Sequence, residues 1–195
     1  MANHSSLVID SLCDQARGVN KAVVGLYCDF LAQQEQSTTS ILGAILKQLV
    51  GRGGIPEDIR EAFQRDEGEF GGRGLRLRDM VEILKKTVTS LERIFVCIDA
   101  LDELAPRNRR GLLESLHEIV RVSPNMRVFL TGRSHIDDQI GEFFGEATKI
   151  LISPTGDDIM SYLEMRLESD TTPKAMDAQL RADIVRVIPE KISEM

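Results

Sequence analysis

Three acidic residues close together could carry chemistry in this 195-residue chain: Asp99, Asp102 and Glu103. They follow the apolar run Ile94–Ile98, which is short and almost continuously apolar, as a strand buried on both faces is. A carboxylate at the end of such a strand can hold Mg²⁺, directly or through water, because Mg²⁺ prefers oxygen ligands. A second carboxylate nearby can orient or deprotonate an attacking water. The alternative is a strand end followed by a solvated acidic turn, but the complete string DALDE is more specific than one Asp after a strand.

A second group of candidate residues ends the next apolar run along the chain. The string RVFLTGRS places Thr131 at the end of a predicted strand, with Gly132 and Arg133 after it. A guanidinium group matches phosphate geometry, so Arg133 could contact a γ-phosphate, with Thr131 beside it. The alternative is an exposed arginine in a strand-to-helix loop. Successive parallel strands place their following loops on one edge of a sheet, and this favours a site shared with Asp99.

Strand and helix patterns alternate along the chain, and these elements must position the candidate side chains. Short apolar runs predict strands at Val23–Cys28, Ile94–Ile98, Arg127–Thr131 and Lys149–Ile152. Apolar stripes at helical spacing predict helices around residues 41–49, 77–88, 112–120 and 159–167, with a further helix start at Pro56 and a surface loop over Gly68–Gly74. We therefore expect an α/β fold, with a mostly parallel sheet of about four strands flanked by helices. The expected domains are an α/β core over residues 1–153 and the start of a helical subdomain over 154–195.

Composition argues against several classes of function. The net charge is −7 and no basic stripe is present, so nucleic acid is not an expected partner. The three cysteines have no CxxC spacing and the three histidines have no metal-ligand spacing, so a zinc site is not expected. No apolar stretch has the length of a membrane span, and the N-terminus does not have the pattern of a secretory signal. We expect a cytoplasmic protein with protein partners or self-association and no contact with a membrane.

The order of motifs resembles the NACHT module of STAND-class P-loop NTPases. The resemblance rests on DALDE, on a strand ending in TGR, on PTGDDIMSYL, and on the longer segment GLYCDFLAQQEQSTTSILGAILKQL. The chain is most similar to the nephrocystin-like N-terminal NACHT modules of fungal ankyrin-repeat or WD-repeat proteins. This resemblance implies the three-layer fold of P-loop NTPases, binding of Mg²⁺ with ATP or GTP, and a role in signal transduction.

The same resemblance assigns roles to the candidate residues. Asp99 matches the Mg²⁺-associated acid of the Walker B motif. Asp102 and Glu103 match the acids that follow it, and Glu103 is the better match to the water-activating residue. Arg133, preceded by Thr131, matches the position of a phosphate sensor.

The family's phosphate-binding loop, GxxxxGK(S/T), has no counterpart in this sequence, which contains no Gly-Lys pair. The backbone N–H groups of such a loop hold the phosphates, and its lysine neutralises them. The opening string SSLVID resembles the helix that follows this loop, so we expect the first strand to be missing together with the loop. The expected consequence is a chain that holds no nucleotide tightly and does not hydrolyse it alone.

Three functions remain open at this point. The first is a truncated NACHT-type signalling module without its own catalysis. The second is a non-catalytic scaffold for protein interaction. The third is an ATPase or GTPase completed by a Walker A segment from another chain, which we disfavour because catalytic geometry demands close positioning.

Overall fold

A computed structural model describes residues 4–16, 20–51, 75–169 and 176–193. The predicted helix start at Pro56 and the predicted loop Gly68–Gly74 lie outside these described residues. The chain divides into two compact units, residues 1–147 and residues 148–195. The sequence analysis predicted this division between residues 153 and 154.

The first unit is built on a parallel sheet that contains three strands within the described residues. The strands are β1 (Lys21–Tyr27), β2 (Arg93–Asp99) and β3 (Met126–Leu130), in the spatial order β1-β2-β3. Tyr27 lies opposite Asp99 in the β1–β2 register, and Ile98 lies opposite Leu130 in the β2–β3 register. The carboxyl ends of the strands therefore meet at one edge. The α/β class predicted from the sequence is confirmed.

Helices cover both faces of this sheet. They are α1 (His4–Gln15), α2 (Thr38–Val50), α3 (Leu77–Thr89), α4 (Pro106–Val122) and α5 (Asp137–Phe143). Alternate residues of β2, namely Ile94, Val96 and Ile98, pack with buried residues of α2, α3 and α4 in one apolar core. Side chains alternate between the faces of a strand, so Gly25 and its register partner Cys97 lie on the other face, against α1. A Cβ atom on Gly25 would lie 3.1 Å from Ile9 Cδ1, so the glycine lets α1 approach β1 closely.

The prediction of a fourth strand at Lys149–Ile152 is wrong. These residues form no helix or strand, and Ile150, Leu151 and Ile152 are exposed. A strand is stabilised by the ladder of hydrogen bonds to its neighbour and by burial of its side chains. The segment has neither, so its apolar composition alone does not make it a strand.

The second unit contains α6 (Gly156–Glu168) and α7 (Ala178–Ser193), which contact each other. Thr155 caps α6: its hydroxyl accepts from Asp158 N at 3.2 Å, and the Asp158 carboxylate accepts from Thr155 N at 2.9 Å. This capping box begins the helix that the sequence predicted around residues 159–167, and that prediction is confirmed. Across the described ranges, no helix combines the length and the apolar character needed to cross a membrane.

Candidate functional site

Asp99 is the last residue of the central strand β2, so its carboxylate lies at the carboxyl edge of the sheet. It accepts a hydrogen bond from the hydroxyl of Thr131, the residue that follows β3. The same hydroxyl oxygen accepts from Ala100 N at 3.0 Å. Backbone bonds continue the β2–β3 pairing around it, from Thr131 N to Ile98 O at 3.0 Å and from Leu101 N to Thr131 O at 2.9 Å. Thr131 therefore joins the ends of two strands and fixes the position of Asp99.

A left-handed residue directs the chain after Asp99. Ala100 has φ 54° and ψ 44°, a conformation that costs an alanine about 1 kcal/mol relative to right-handed backbone. The turn that follows, Leu101–Glu103, buries Leu101 completely in the core. Leu104 is buried on the other side of the turn. These two leucines anchor the loop, and Asp102 and Glu103 lie between them.

Asp102 is paired with Arg133. Its Oδ1 accepts from Arg133 N at 3.3 Å, and its Oδ2 lies 3.5 Å from Arg133 Nε. The side chain of Asp102 is 8% exposed, whereas that of Arg133 is 79% exposed. A Cβ atom at Gly132 would lie 2.7 Å from Ile136 Cδ1 and 3.5 Å from Asp102 Oδ1, so the glycine leaves room for both side chains. The arrangement presents a guanidinium group to solvent above a nearly buried carboxylate.

Glu103 is bound on the other side, to the chain that leaves β1. Its Oε2 accepts from Phe30 N at 2.9 Å, and its backbone oxygen accepts from Gln33 Nε2 at 2.9 Å. Phe30 begins the short 3₁₀ turn Phe30–Ala32. The structure thus brings all five predicted site residues to one edge of the sheet, but each acid is bound to a different protein group.

The donor set at this edge suits Mg²⁺ better than a transition metal. In the part of the chain that the structure describes, no three His, Cys, Asp or Glu side chains converge as a metal site. The Asp99 carboxylate and the Thr131 hydroxyl are adjacent oxygen donors. Mg²⁺ is commonly held by one or two such groups, with water and substrate phosphates as its other ligands.

The charges of the three acids act together on one buried thiol. Burial raises the pKa of Cys28 to about 12, with further contributions from the charges of Glu103, Asp99 and Asp102. Cys28 follows β1, and its N–H donates to Asp99 O at 3.0 Å. Because only a thiolate is an effective nucleophile, Cys28 is a packing residue of this site and not a reactive one.

Sequence reasoning missed a buried cation under the acidic loop. Arg109, on α4, donates from Nη1 to Asp102 O at 3.2 Å and to Leu104 O at 3.3 Å, and from Nε to Gln139 Oε1 at 2.5 Å. A signal was present in the sequence. Arg109 precedes Leu112, Leu113 and Leu116 at helical spacing, so it falls on the apolar stripe of α4 and had to be buried.

Sequence reasoning also missed the contact between Glu103 and Phe30. These residues are distant in the sequence, and the contact depends on the register that sets Tyr27 opposite Asp99. The one local signal is Asp29, a typical capping residue, whose Oδ1 accepts from Leu31 N at 2.9 Å.

The fold and the site define an α/β domain whose central parallel strand delivers acidic residues to the edge where such sheets bind ligands. A family model described as "Nephrocystin 3, N-terminal" matches residues 4–133. The chain therefore belongs to the nephrocystin 3 N-terminal family. The match runs from α1 to Arg133 and includes all five predicted site residues. No curated protein matches the chain.

Proposed function

We propose that this chain is a NACHT-type module of the STAND class of P-loop NTPases and supplies the metal and sensor side of a nucleotide site. In this proposal it acts in signalling and does not bind or hydrolyse nucleotide by itself. The observation that carries the proposal is the meeting of Asp99, Thr131 and Arg133 at the carboxyl ends of neighbouring parallel strands. Ligands of open α/β sheets bind at this edge.

Each residue has a role in the proposed site. Asp99 and the Thr131 hydroxyl would hold Mg²⁺, and the ion would supply neutralisation of phosphate charge. Asp102 orients Arg133, whose exposed guanidinium can turn toward a γ-phosphate. Glu103 supplies the carboxylate that orients or deprotonates water, after it releases Phe30 N–H.

The proposed inability to act alone follows from what phosphoryl transfer requires. Positioning and charge neutralisation of the phosphates provide nearly all of this catalysis. The sequence has no Gly-Lys pair, so it has no loop of the GxxxxGK(S/T) kind to cradle phosphates. Three carboxylates and one arginine without such a loop do not hold a triphosphate in place.

A second candidate function is a scaffold for protein interaction without nucleotide. It is favoured by one observation: the three acids are bound to Thr131, Arg133 and Phe30 rather than oriented toward a common point. In that case the acids stabilise the loop and have no ligand of their own.

Calorimetry with Mg·ATP and Mg·GTP tests the proposal, using the wild-type chain, Asp99→Asn and Glu92→Gln. Asn at 99 keeps an acceptor for Thr131 and removes the charge. Glu92 is an exposed acid just before β2, at the opposite end of the strand, and serves as the matched control. We expect no heat from any of the three at millimolar nucleotide. Binding that is lost in Asp99→Asn and kept in Glu92→Gln would contradict the claim that the chain cannot bind alone.

A second experiment tests whether Asp99 and Arg133 take part in nucleotide binding. The chain is co-expressed with a separate segment that carries a strand and a GxxxxGK(S/T) loop, and nucleotide binding of the purified complex is measured. Binding that Asp99→Asn and Arg133→Ala each weaken would support the function we disfavour, a nucleotide site completed by another chain. A complex that forms but binds no nucleotide would favour the scaffold function. Binding that is unaffected by both substitutions would remove these residues from the site.

A further inference from the structure

Three large apolar side chains are exposed beside the acidic loop. Phe30 and Leu31 are 65% and 91% exposed, and Tyr27, at the end of β1, is also exposed. We name Tyr27, Phe30 and Leu31 the apolar turn. Single exposed apolar residues are common on protein surfaces, whereas several within five residues of the chain make this segment a candidate interaction site.

The backbone of the apolar turn is held firmly although its side chains face solvent. Asp29 Oδ1 caps Leu31 N, and Glu103 Oε2 accepts from Phe30 N, both at 2.9 Å. The side chain of Gln36 makes two hydrogen bonds to the backbone of Asp29. Its Oε1 accepts from Asp29 N at 3.2 Å, and its Nε2 donates to Asp29 O at 3.4 Å. A surface that is already ordered loses little conformational entropy on binding, so its apolar contacts contribute more fully to affinity.

The charges around the apolar turn are acidic. Between Lys21 and Lys47 the only charged residues are Asp29 and Glu35, and both are exposed. The adjacent loop adds Asp99, Asp102 and Glu103, and the arginine that reaches it, Arg133, is paired with Asp102. Complementary charge steers partners and fixes their register, so basic groups are expected on a partner at this surface.

We propose that the apolar turn is a docking site for a partner segment with two or three neighbouring apolar side chains flanked by lysine or arginine. A second copy of this chain is the poorer fit, because a net charge of −7 on each copy opposes their approach. The docking site does not depend on nucleotide binding. It is joined to the proposed nucleotide site through Glu103, whose carboxylate holds Phe30 N–H.

Fluorescence anisotropy with a labelled synthetic amphipathic helix of leucine and lysine tests the docking site. A probe with the same leucines and glutamate in place of lysine is the charge control. We expect the wild-type chain to bind the lysine probe and Phe30→Ser/Leu31→Ser to bind it about tenfold more weakly, since a few contact residues usually carry most of the binding energy of an interface. Val122→Ser, an exposed apolar position at the end of α4, is the matched control and should leave binding unchanged.

Two substitutions at Glu103 separate docking from nucleotide chemistry. Glu103→Gln retains an oxygen acceptor for Phe30 N but removes the charge, so it should weaken binding of the lysine probe less than Glu103→Ala does, although it removes the carboxylate that the nucleotide site requires. Glu103→Ala removes the acceptor and should weaken probe binding. The proposal is overturned if neither probe binds, if the glutamate probe binds as tightly, or if the Phe30→Ser/Leu31→Ser variant binds as tightly as the wild type.

Discussion

At the scale of single residues, the Thr131 hydroxyl makes two hydrogen bonds that support different parts of the site. It donates to the Asp99 carboxylate and accepts from Ala100 N. The first bond orients the strand-end acid, and the second supports a backbone residue in the left-handed region. The geometry of Asp99 and the path of the DALDE loop are therefore coupled through one oxygen atom.

Replacing Thr131 by valine should destabilise the first unit. Valine keeps the shape of the side chain and removes the hydroxyl, which leaves Ala100 N and the Asp99 carboxylate without this partner. We expect a loss of about 1–3 kcal/mol in the free energy of unfolding, the usual cost of an unsatisfied polar group. Urea denaturation followed by circular dichroism measures it. Thr131→Ser keeps the hydroxyl, so equal losses in both variants would show that the methyl group, not the hydroxyl, matters.

The pair between Asp102 and Arg133 contributes differently. Arg133 is almost fully exposed, so the ion pair adds little to stability, in the range of about 0–1 kcal/mol for such surface pairs. The arginine can leave Asp102 at small cost when an anion is offered. This low cost is what a residue proposed to contact phosphate requires.

At the scale of elements, α4 supports the acidic loop from below. Arg109 reaches from the first turns of α4 to the carbonyl oxygens of Asp102 and Leu104, and also to Gln139 on α5. No carboxylate is paired with this buried guanidinium in the described contacts. Its hydrogen bonds to neutral oxygens and the nearby acidic loop are what stabilise its charge.

Arg109→Met should be among the more damaging single substitutions in the chain. It leaves the oxygens of Asp102, Leu104 and Gln139 without their donor inside the protein. We expect a loss of about 2–4 kcal/mol, measured as a lower urea midpoint, because several buried acceptors lose their partner at once. Arg110→Met is the control.

The control is well matched because Arg110 is adjacent in sequence but exposed, and it pairs with Glu142 at 2.9 Å on the surface. Its replacement should cost less than about 1 kcal/mol. Similar losses from Arg109→Met and Arg110→Met would mean that the contacts to the loop are unimportant for stability.

The sequence predicted the elements better than the contacts between them. The runs VVGLYC, IFVCI and RVFLT indicated β1, β2 and β3 because strands buried on two faces must be apolar at nearly every position. The equally apolar KILI is exposed and forms no strand, because strand formation depends on a neighbouring strand that composition does not report.

The candidate site shows the same difference between what the sequence predicted and what it missed. Asp99, Thr131 and Arg133 could be placed together from strand order alone, because parallel strands share a carboxyl edge. The contacts of Arg109 and the capture of Phe30 N by Glu103 depend on helix rotation and strand register. These quantities follow from packing of the whole unit, so a local pattern could only hint at them.

At the scale of the whole molecule, the chain is two units with an exposed connection. Residues 148–155 contain no helix or strand and are exposed throughout. A protease needs several residues in extended form, and such connections offer them without unfolding. Each unit should therefore behave as a separate proteolytic product.

Limited trypsin digestion should cut after Lys149 before it cuts within the described helices and strands. Intact-mass spectrometry of the fragments over time measures the order of cleavage. Lys85 is the internal comparison, because it lies within α3 and pairs with Glu82 at 2.8 Å and Glu118 at 2.6 Å. Lys149→Gln should abolish the early cut. Cleavage after Lys85 ahead of Lys149 would contradict this description of the two units.

Each acid of the DALDE string holds part of the scaffold: Asp99 binds Thr131, Asp102 binds Arg133, and Glu103 binds the turn that starts at Phe30. In evolutionary terms, we expect substitutions to accumulate slowly in this motif. A descendant that no longer used nucleotide would still lose the contacts of Asp99 and Glu103 that hold the scaffold, so purifying selection would favour keeping these two acids without any activity. An intact DALDE string is therefore explained by the stability of the fold as well as by enzymatic turnover.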